Sequence, residues 1–108
     1  MLTLLGKKIR ILRINVGETI VQMSEKLGMS TSYLSSIENG KRNVPVEVLP
    51  KLSKIFNLDL KQLEHEYFSE KIAEIIYPQE EPRELLKAAE EKAKYMRIKN
   101  QQQGKINF

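Results

Sequence analysis

The sequence predicts an all-α protein in which five close-packed helices are followed by a C-terminal helical extension. Apolar residues recur at spacings of three and four along the chain, which is the period of a helix with one buried face. The strict alternation of apolar and polar residues that indicates a half-buried strand is nowhere sustained. A chain of 108 residues is long enough for one domain and an appendage, but not for two full domains.

The first two helices are predicted from an apolar face and from their capping residues. One helical face of the first contains Leu5, Ile9, Leu12 and Val16. Gly17 follows and can end that helix in a left-handed conformation. Thr19 is placed to cap the second helix, and Gln22, three residues later, completes the spacing of a capping box. Gly28 ends the second helix after barely two turns.

The third and fourth helices are separated by a predicted loop over residues 41–45. Ser30 is the expected N-cap of the third helix, which runs to about Asn39. The dipeptide that Asn39 forms with the following glycine is a strong stop signal. Pro45 is expected to open the fourth helix. Pro50 lies near its first turn, where few intrahelical hydrogen bonds exist to be lost.

The fifth and sixth helices are separated by prolines. Asp59 is expected to cap the fifth helix, which continues to about Tyr77. Pro78 then breaks the chain, and Pro82 opens a sixth helix over about 83–99. We therefore expect a first domain over residues 1–65, a helical extension over 66–102 and a mobile tail over 103–108.

The formal net charge of +4 is unevenly distributed. Residues 1–65 contain 10 basic and 6 acidic side chains, so their net charge is 10 − 6 = +4. Residues 66–108 contain 8 of each kind, so their net charge is zero. An excess of positive charge confined to one part of a chain favours a polyanionic partner there.

Composition excludes several classes of site. The chain has no cysteine and one histidine, His65, so disulfides, thiolate zinc sites and multi-histidine metal sites are excluded. No cofactor and no metal are predicted. His65 lies between two glutamates and is interpreted as a surface residue, which leaves catalysis without support and predicts that the chain is not an enzyme. The chain has no apolar run of membrane-spanning length and no signal peptide pattern, so we expect a cytoplasmic protein without membrane contact.

Residues 24–41 carry the main functional signal. They predict two short helices around a tight turn, with the small Ser24 where the helices must approach closely and Gly28 at the turn. These features specify a helix-turn-helix, here over about 19–39. In that motif the second helix, here about 31–39, enters the major groove of DNA.

Residues 6–63 resemble the lambda-repressor-like, XRE-type helix-turn-helix domain. The residues that carry the resemblance are Gly6, Ile9-Arg10, Leu12-Arg13, Glu25-Lys26-Leu27-Gly28, Ser32-Tyr33-Leu34-Ser35, Ile37-Glu38-Asn39-Gly40-Lys41-Arg42, Leu49, Leu52 and Leu58. Members of that family bind double-stranded operator DNA, usually as dimers, and most regulate transcription. The resemblance therefore implies a DNA-binding regulator.

The resemblance also implies roles for individual residues. Those expected to contact bases are Thr31, Ser32 and Ser36, with Ser35 as their neighbour. Those expected to contact phosphates are Thr19 and Gln22 at the start of the second helix, Asn39, Gly40, Lys41, Arg42 and Asn43 after the third helix, and Arg10. Gly40 and Lys41 are expected to present backbone N–H groups as well as charge. Arg13 and Glu38 are expected to form a structural ion pair between the first and third helices.

The chain departs from the family pattern at two places. Ile20 stands where relatives often carry glutamine, which removes one expected contact. The recognition helix offers hydroxyl groups but no arginine, glutamine or asparagine on its reading side. Hydroxyls pair with either kind of base edge and discriminate less than a bidentate contact, worth about 1–3 kcal/mol. We therefore expect moderate specificity per monomer, helped by DNA shape and dimerisation.

Residues 66–102 leave two interpretations open. They either pack on their own domain or form an interface between two copies, and the second is favoured. The full hypothesis is a repressor that binds a palindromic operator as a homodimer. The alternative is a protein-interaction module, such as an antitoxin or a switch controlled by a protein antagonist, whose C-terminal helices bind another protein.

Overall fold

The computed structural model describes the backbone of residues 4–106 and the side chains of residues 4–101. Its elements are α1 (Leu4–Asn15), α2 (Ile20–Leu27), α3 (Thr31–Glu38), a 3-10 turn (Val46–Val48), α4 (Leu49–Phe56), α5 (Leu60–Ile76) and α6 (Pro82–Ile106). No strand occurs in the part of the chain so described. The predicted all-α class is confirmed.

Two compact units make up the chain, one over residues 1–72 and the other over residues 73–108. The predicted division between 1–65 and 66–102 falls within the same helix, α5. The last two residues of the tail predicted over 103–108 lie outside the described part of the chain.

The first unit is built around one apolar core. Its buried side chains are Leu5, Ile9, Met23, Leu27, Leu34, Ile37, Val44, Val48, Leu49, Leu52 and Leu63. They come from α1 to α5 and from the loop and turn between α3 and α4, so these five helices close on a common centre. Ser24 is also buried, and its hydroxyl donates to the carbonyl of Val21 at 2.8 Å. The hydroxyl group of this small side chain therefore finds its hydrogen-bond partner within α2.

The capping residues predicted for α2 and α3 act as expected. The Thr19 hydroxyl accepts from the N–H of Gln22 at 3.1 Å, while the Gln22 side chain accepts from the N–H of Thr19 at 2.9 Å. Gly28 ends α2 with φ of 69°, a left-handed conformation that costs glycine little. The Ser30 hydroxyl accepts from the N–H of Tyr33 at 3.1 Å and so caps α3.

Three details of the predicted helices are wrong. Val16 is 56% exposed, because α1 ends at Asn15 and Val16 leaves its buried face. The fourth helix does not begin at Pro45; a 3-10 turn comes first, and α4 begins at Leu49 with Pro50 in its first turn. Pro50 therefore breaks no internal bond of a long helix. The sixth helix continues beyond 99 to Ile106.

The second unit contains the end of α5 and the whole of α6. The predicted break at Pro78 separates them, and Pro82 is the first residue of α6. No described side chain of this unit, over residues 73–101, is fully buried. Its exposed large apolar side chains are Ile75, Tyr77, Leu85, Leu86, Tyr95, Met96 and Ile98.

Candidate nucleic-acid interface

Helix α3 presents four hydroxyl groups on the side opposite its buried residues. Thr31 and Ser32 are exposed, and Ser35 and Ser36 are partly exposed. Leu34 and Ile37 lie in the core and hold the helix by its other side. We call the surface formed by Thr31, Ser32, Ser35 and Ser36 the reading face. These four are the residues that the sequence predicted as base contacts.

Asn39 is the C-cap of α3 and lies beyond the reading face. It is exposed, and its side-chain amide donates to the hydroxyl of Ser35 at a long 3.4 Å. Arg10 of α1 lines the same shallow surface groove as Asn39. The structure therefore brings together two predicted phosphate contacts that are far apart in the sequence.

The loop after α3 uses its backbone N–H groups internally. The N–H of Gly40 donates to the carbonyl of Ile37 at 3.1 Å, and the N–H of Lys41 donates to the carbonyl of Ser36 at 2.8 Å. The expectation that these two N–H groups face a phosphate does not fit this arrangement. The loop instead offers positive charge, since the Lys41 and Arg42 side chains are exposed, as is the neighbouring polar Asn43.

The start of α2 retains free hydrogen-bond donors. The Thr19 hydroxyl and the Gln22 carbonyl oxygen are used in the capping box. Within the described part of the chain, the amide NH₂ of Gln22 and the backbone N–H groups of Ile20 and Val21 have no partner. A helix N-terminus with unpaired donors is a favourable place for a phosphate. The Gln22 side chain can thus cap the helix with its amide oxygen and donate to a phosphate from its amide nitrogen.

A buried ion pair joins α1 to α3. The Arg13 guanidinium donates to both carboxylate oxygens of Glu38, from Nε at 2.8 Å and from Nη2 at 2.9 Å. Its Nη1 donates to the carbonyl of Glu18 at 2.9 Å. The Glu38 side chain is 4% exposed and that of Arg13 is 14% exposed. This geometry is bidentate, which fixes orientation as well as distance.

The ion pair with Glu38 shifts the pKa of Arg13. Its hydrogen bond with Glu38 raises the pKa of Arg13; burial opposes this effect, and the charge of Glu38 adds to it. An arginine is charged at neutral pH in any case, and this contact favours the charged form further. A charged pair held in this way fixes the C-terminal end of the recognition helix against α1.

Tyr33 lies beside the reading face and was not among the predicted site residues. The Arg42 guanidinium lies over its ring, 4.9 Å from the ring centroid. No rule of sequence spacing predicts this contact. It forms because Gly40, with φ of 77°, reverses the chain and returns the loop to α3.

His65 is exposed on α5 beside Phe68 and Ile72, in a shallow surface depression. Among the described residues, no group of three histidine, cysteine, aspartate or glutamate side chains could hold a metal ion. In that same part of the chain, no helix is long and apolar enough to cross a membrane.

Two short helices packed at a left-handed glycine turn, with the second exposing a polar face, define a helix-turn-helix DNA-binding domain. The family model described as "Helix-turn-helix" matches residues 9–63, about half of the chain. The chain belongs to this family, in its XRE-type, lambda-repressor-like form, as predicted. The family is one of DNA-binding transcriptional regulators, and the domain is not enzymatic in general.

Two relatives are similar to this region. The "Propionyl-CoA carboxylase regulator" of Cereibacter sphaeroides is 38% identical over 58 residues, which is 54% of this chain and 13% of the relative. The "ImmF control region 10 kDa protein" of Bacillus phage phi105 is 43% identical over 42 residues, which is 39% of this chain and 47% of the relative. The chain thus spans less than half the length of either. No solved structure matches it.

Proposed function

We propose that the chain is a sequence-specific transcriptional repressor that binds a palindromic operator as a homodimer in the cytoplasm. The observation that carries the proposal is the reading face of α3, which is exposed while the rest of the helix is fixed by the core and by Arg13. Unpaired donors at the start of α2 and exposed Lys41 and Arg42 flank that face. The two relatives named as a regulator and as a control region protein support a regulatory role.

The proposed contacts divide into two kinds. Thr31, Ser32, Ser35 and Ser36 read base edges, and the methyl group of Thr31 can contact the methyl group of thymine. The phosphate contacts are assigned to Thr19, Gln22, Asn39, Lys41, Arg42, Asn43 and Arg10, whereas the N–H of Gly40 is already bonded to the carbonyl of Ile37. Phosphate contacts set the register of the protein on DNA, whereas base contacts carry the sequence information. Repression follows from occupancy, because a bound dimer blocks polymerase or a competing regulator.

Footprinting on the DNA upstream of the chain's own gene tests this proposal. We expect protection of two symmetric half-sites whose centres are about 34 Å apart, one turn of the double helix. A reporter fused to that DNA should be expressed more strongly when the gene is deleted. Protection of a single asymmetric site would contradict the dimeric mode of binding. Higher reporter expression in the presence of the protein would contradict repression.

Helix α6 provides the surface proposed for dimerisation. Leu86, Ala89, Ala93 and Met96 follow one another at spacings of three and four, and we call this row the α6 stripe. Such spacing places side chains on one helical face, as in paired helices. Leu86 is 37% exposed and Met96 is 65% exposed, so the stripe is only partly covered in a single copy. A second copy would cover it.

The charge distribution along α6 favours an antiparallel pair. Residues 80–91 contain five acidic and two basic side chains, whereas residues 92–99 contain four basic and no acidic side chains. In an antiparallel pair, the acidic end of one helix lies along the basic end of the other. A parallel pair would instead place like charges side by side, which is unfavourable.

We expect Ala89→Lys with Met96→Lys to convert the dimer into a monomer, because two charges would then interrupt the α6 stripe. The matched control is Ala88→Lys with Tyr95→Lys. It adds the same charge at the same separation, but about 100° around the helix. Sedimentation equilibrium at tens of micromolar, without DNA, measures the mass. A monomeric native protein, or equal dissociation by both pairs of substitutions, would contradict this assignment.

The alternative function is a protein-interaction module, in which the helices of residues 66–102 bind another protein and DNA binding is secondary. The second unit has exposed apolar side chains, and a different protein could cover them as well as a second copy could. This observation favours the alternative. Under this alternative the partner is a toxin or a protein antagonist encoded by a neighbouring gene. Co-expression with such a neighbour should then yield a stable complex. The chain purified alone should be a monomer.

A further inference from the structure

We propose that Tyr33 is a positioning residue for DNA binding, whose ring holds the Arg42 guanidinium in place to meet a phosphate. The inference rests on the proposed function and adds a residue to it. The Arg42 guanidinium lies 4.9 Å from the centroid of the Tyr33 ring. That distance is well within the range of about 6 Å at which a cation is attracted to an aromatic face.

The backbone of Arg42 is tied to the same helix as the ring. Its N–H donates to the carbonyl of Ser36 at 3.2 Å, a carbonyl that also accepts from Lys41. Tyr33 itself is fixed, because its N–H donates to the Ser30 hydroxyl and its ring packs partly against the core. Both ends of Arg42 are therefore held by α3, and α3 is in turn held by the core.

This arrangement affects binding through entropy. A free arginine side chain samples many rotamers, and these are lost when it contacts a phosphate. Contact with the Tyr33 ring restricts the side chain before DNA arrives, so less freedom is lost on binding. Within the described part of the chain the Arg42 guanidinium donates no hydrogen bond. Arg42 can therefore contact the ring and still donate to a phosphate.

Lys41 provides an internal comparison. It has the same charge and the same kind of backbone hydrogen bond to Ser36, but no ring contact is seen for it among the described residues. Both residues are expected to contribute charge to DNA binding. Only the contribution of Arg42 is expected to depend on residue 33.

The test measures affinity of the full chain for a short mixed-sequence DNA duplex by fluorescence anisotropy, over a range of salt concentrations. Tyr33→Leu removes the ring and should weaken binding at low salt by about 2- to 5-fold, the range of an exposed cation–aromatic contact. Tyr33→Phe keeps the ring and should bind as the native chain does. Arg42→Ala should lower the slope of log K against log salt by about one phosphate contact.

A double-mutant cycle isolates the coupling. In an Arg42→Ala background, Tyr33→Leu should have no further effect, whereas in a Lys41→Ala background it should retain its full effect. Urea denaturation identifies any loss of folded protein, and affinities are compared only where every variant is folded. A purely structural role of Tyr33 would weaken binding equally in both backgrounds.

Three results would overturn the inference alone. Additive effects of Tyr33→Leu and Arg42→Ala would show that the ring does not act through Arg42. A loss with Tyr33→Phe as large as that with Tyr33→Leu would assign the effect to the hydroxyl group. Native-like binding by Tyr33→Leu would remove any role for the ring while leaving the proposed function intact. If the native chain itself failed to bind the duplex, the proposed function would fail and the inference with it.

Discussion

Replacement of Arg13 by alanine is expected to lower the free energy of unfolding by about 3–5 kcal/mol. The substitution leaves the Glu38 carboxylate, which is 4% exposed, without its bidentate partner inside the protein. Most of the loss comes from this uncompensated buried charge and not from the attraction that is removed. Urea denaturation followed by circular dichroism measures the effect.

Two further variants test whether burial of the Glu38 charge causes this loss of stability. Lys8→Ala removes a salt bridge of similar length, 3.0 Å to Glu66, but with side chains 36% and 37% exposed, and should cost at most about 1 kcal/mol. The double replacement Arg13→Met with Glu38→Leu removes both charges and should restore much of the lost stability. An equal cost for Arg13→Ala and Lys8→Ala would contradict the role assigned to burial.

Ser32→Glu is expected to weaken DNA binding at least about 100-fold without unfolding the protein. It places a negative charge on the reading face, and a like charge held against DNA phosphates costs several kcal/mol. Two factors of ten correspond to about 2.7 kcal/mol at 1.36 kcal/mol each. The fold should tolerate the change, because Ser32 is exposed and α3 has no acidic residue in its first turn. A carboxylate there is favourable to the helix dipole.

Gln62→Glu is the matched control. It adds the same charge to the first turn of α5, a helix that also begins without an acidic residue, and Gln62 is exposed as well. Anisotropy titrations with one duplex should show a change of no more than about twofold for Gln62→Glu. If both substitutions reduced affinity alike, net charge and not the position of α3 would govern binding. The reading face would then be assigned wrongly.

Local signals predicted much of the first unit correctly. The capping box at Thr19 and Gln22, the left-handed turn at Gly28 and the cap at Ser30 each depend on residues a few positions apart, so sequence contains the required information. Local pattern does not determine the end of the first helix, because an apolar residue such as Val16 fits a helical face whether or not the helix reaches it. The 3-10 turn before α4 was also missed, because the spacing of its apolar residues equally fits a helix that begins at Pro45.

The candidate site was predictable only in part. Spacing and resemblance predicted the four hydroxyl residues and the loop charges, and the structure leaves their side chains exposed or partly exposed. The N–H groups of Gly40 and Lys41 are used in capping bonds at the end of α3, which the glycine after Asn39 could have indicated but which the resemblance did not. The contact between Tyr33 and Arg42 was also missed. Such contacts depend on the path of the loop and not on residue identity alone.

Sequence by itself determined the helical class, the helix-turn-helix and the residues available to contact DNA. These follow from period, capping chemistry and residue type, which are local properties of the chain. Tertiary structure decided which groups are paired between elements: it buried Glu38 of α3 against Arg13 of α1 and placed Arg10 of α1 in the groove that Asn39 also lines. The physical reason is that a hydrogen-bonding group can serve a ligand only when the folded chain has not already paired it.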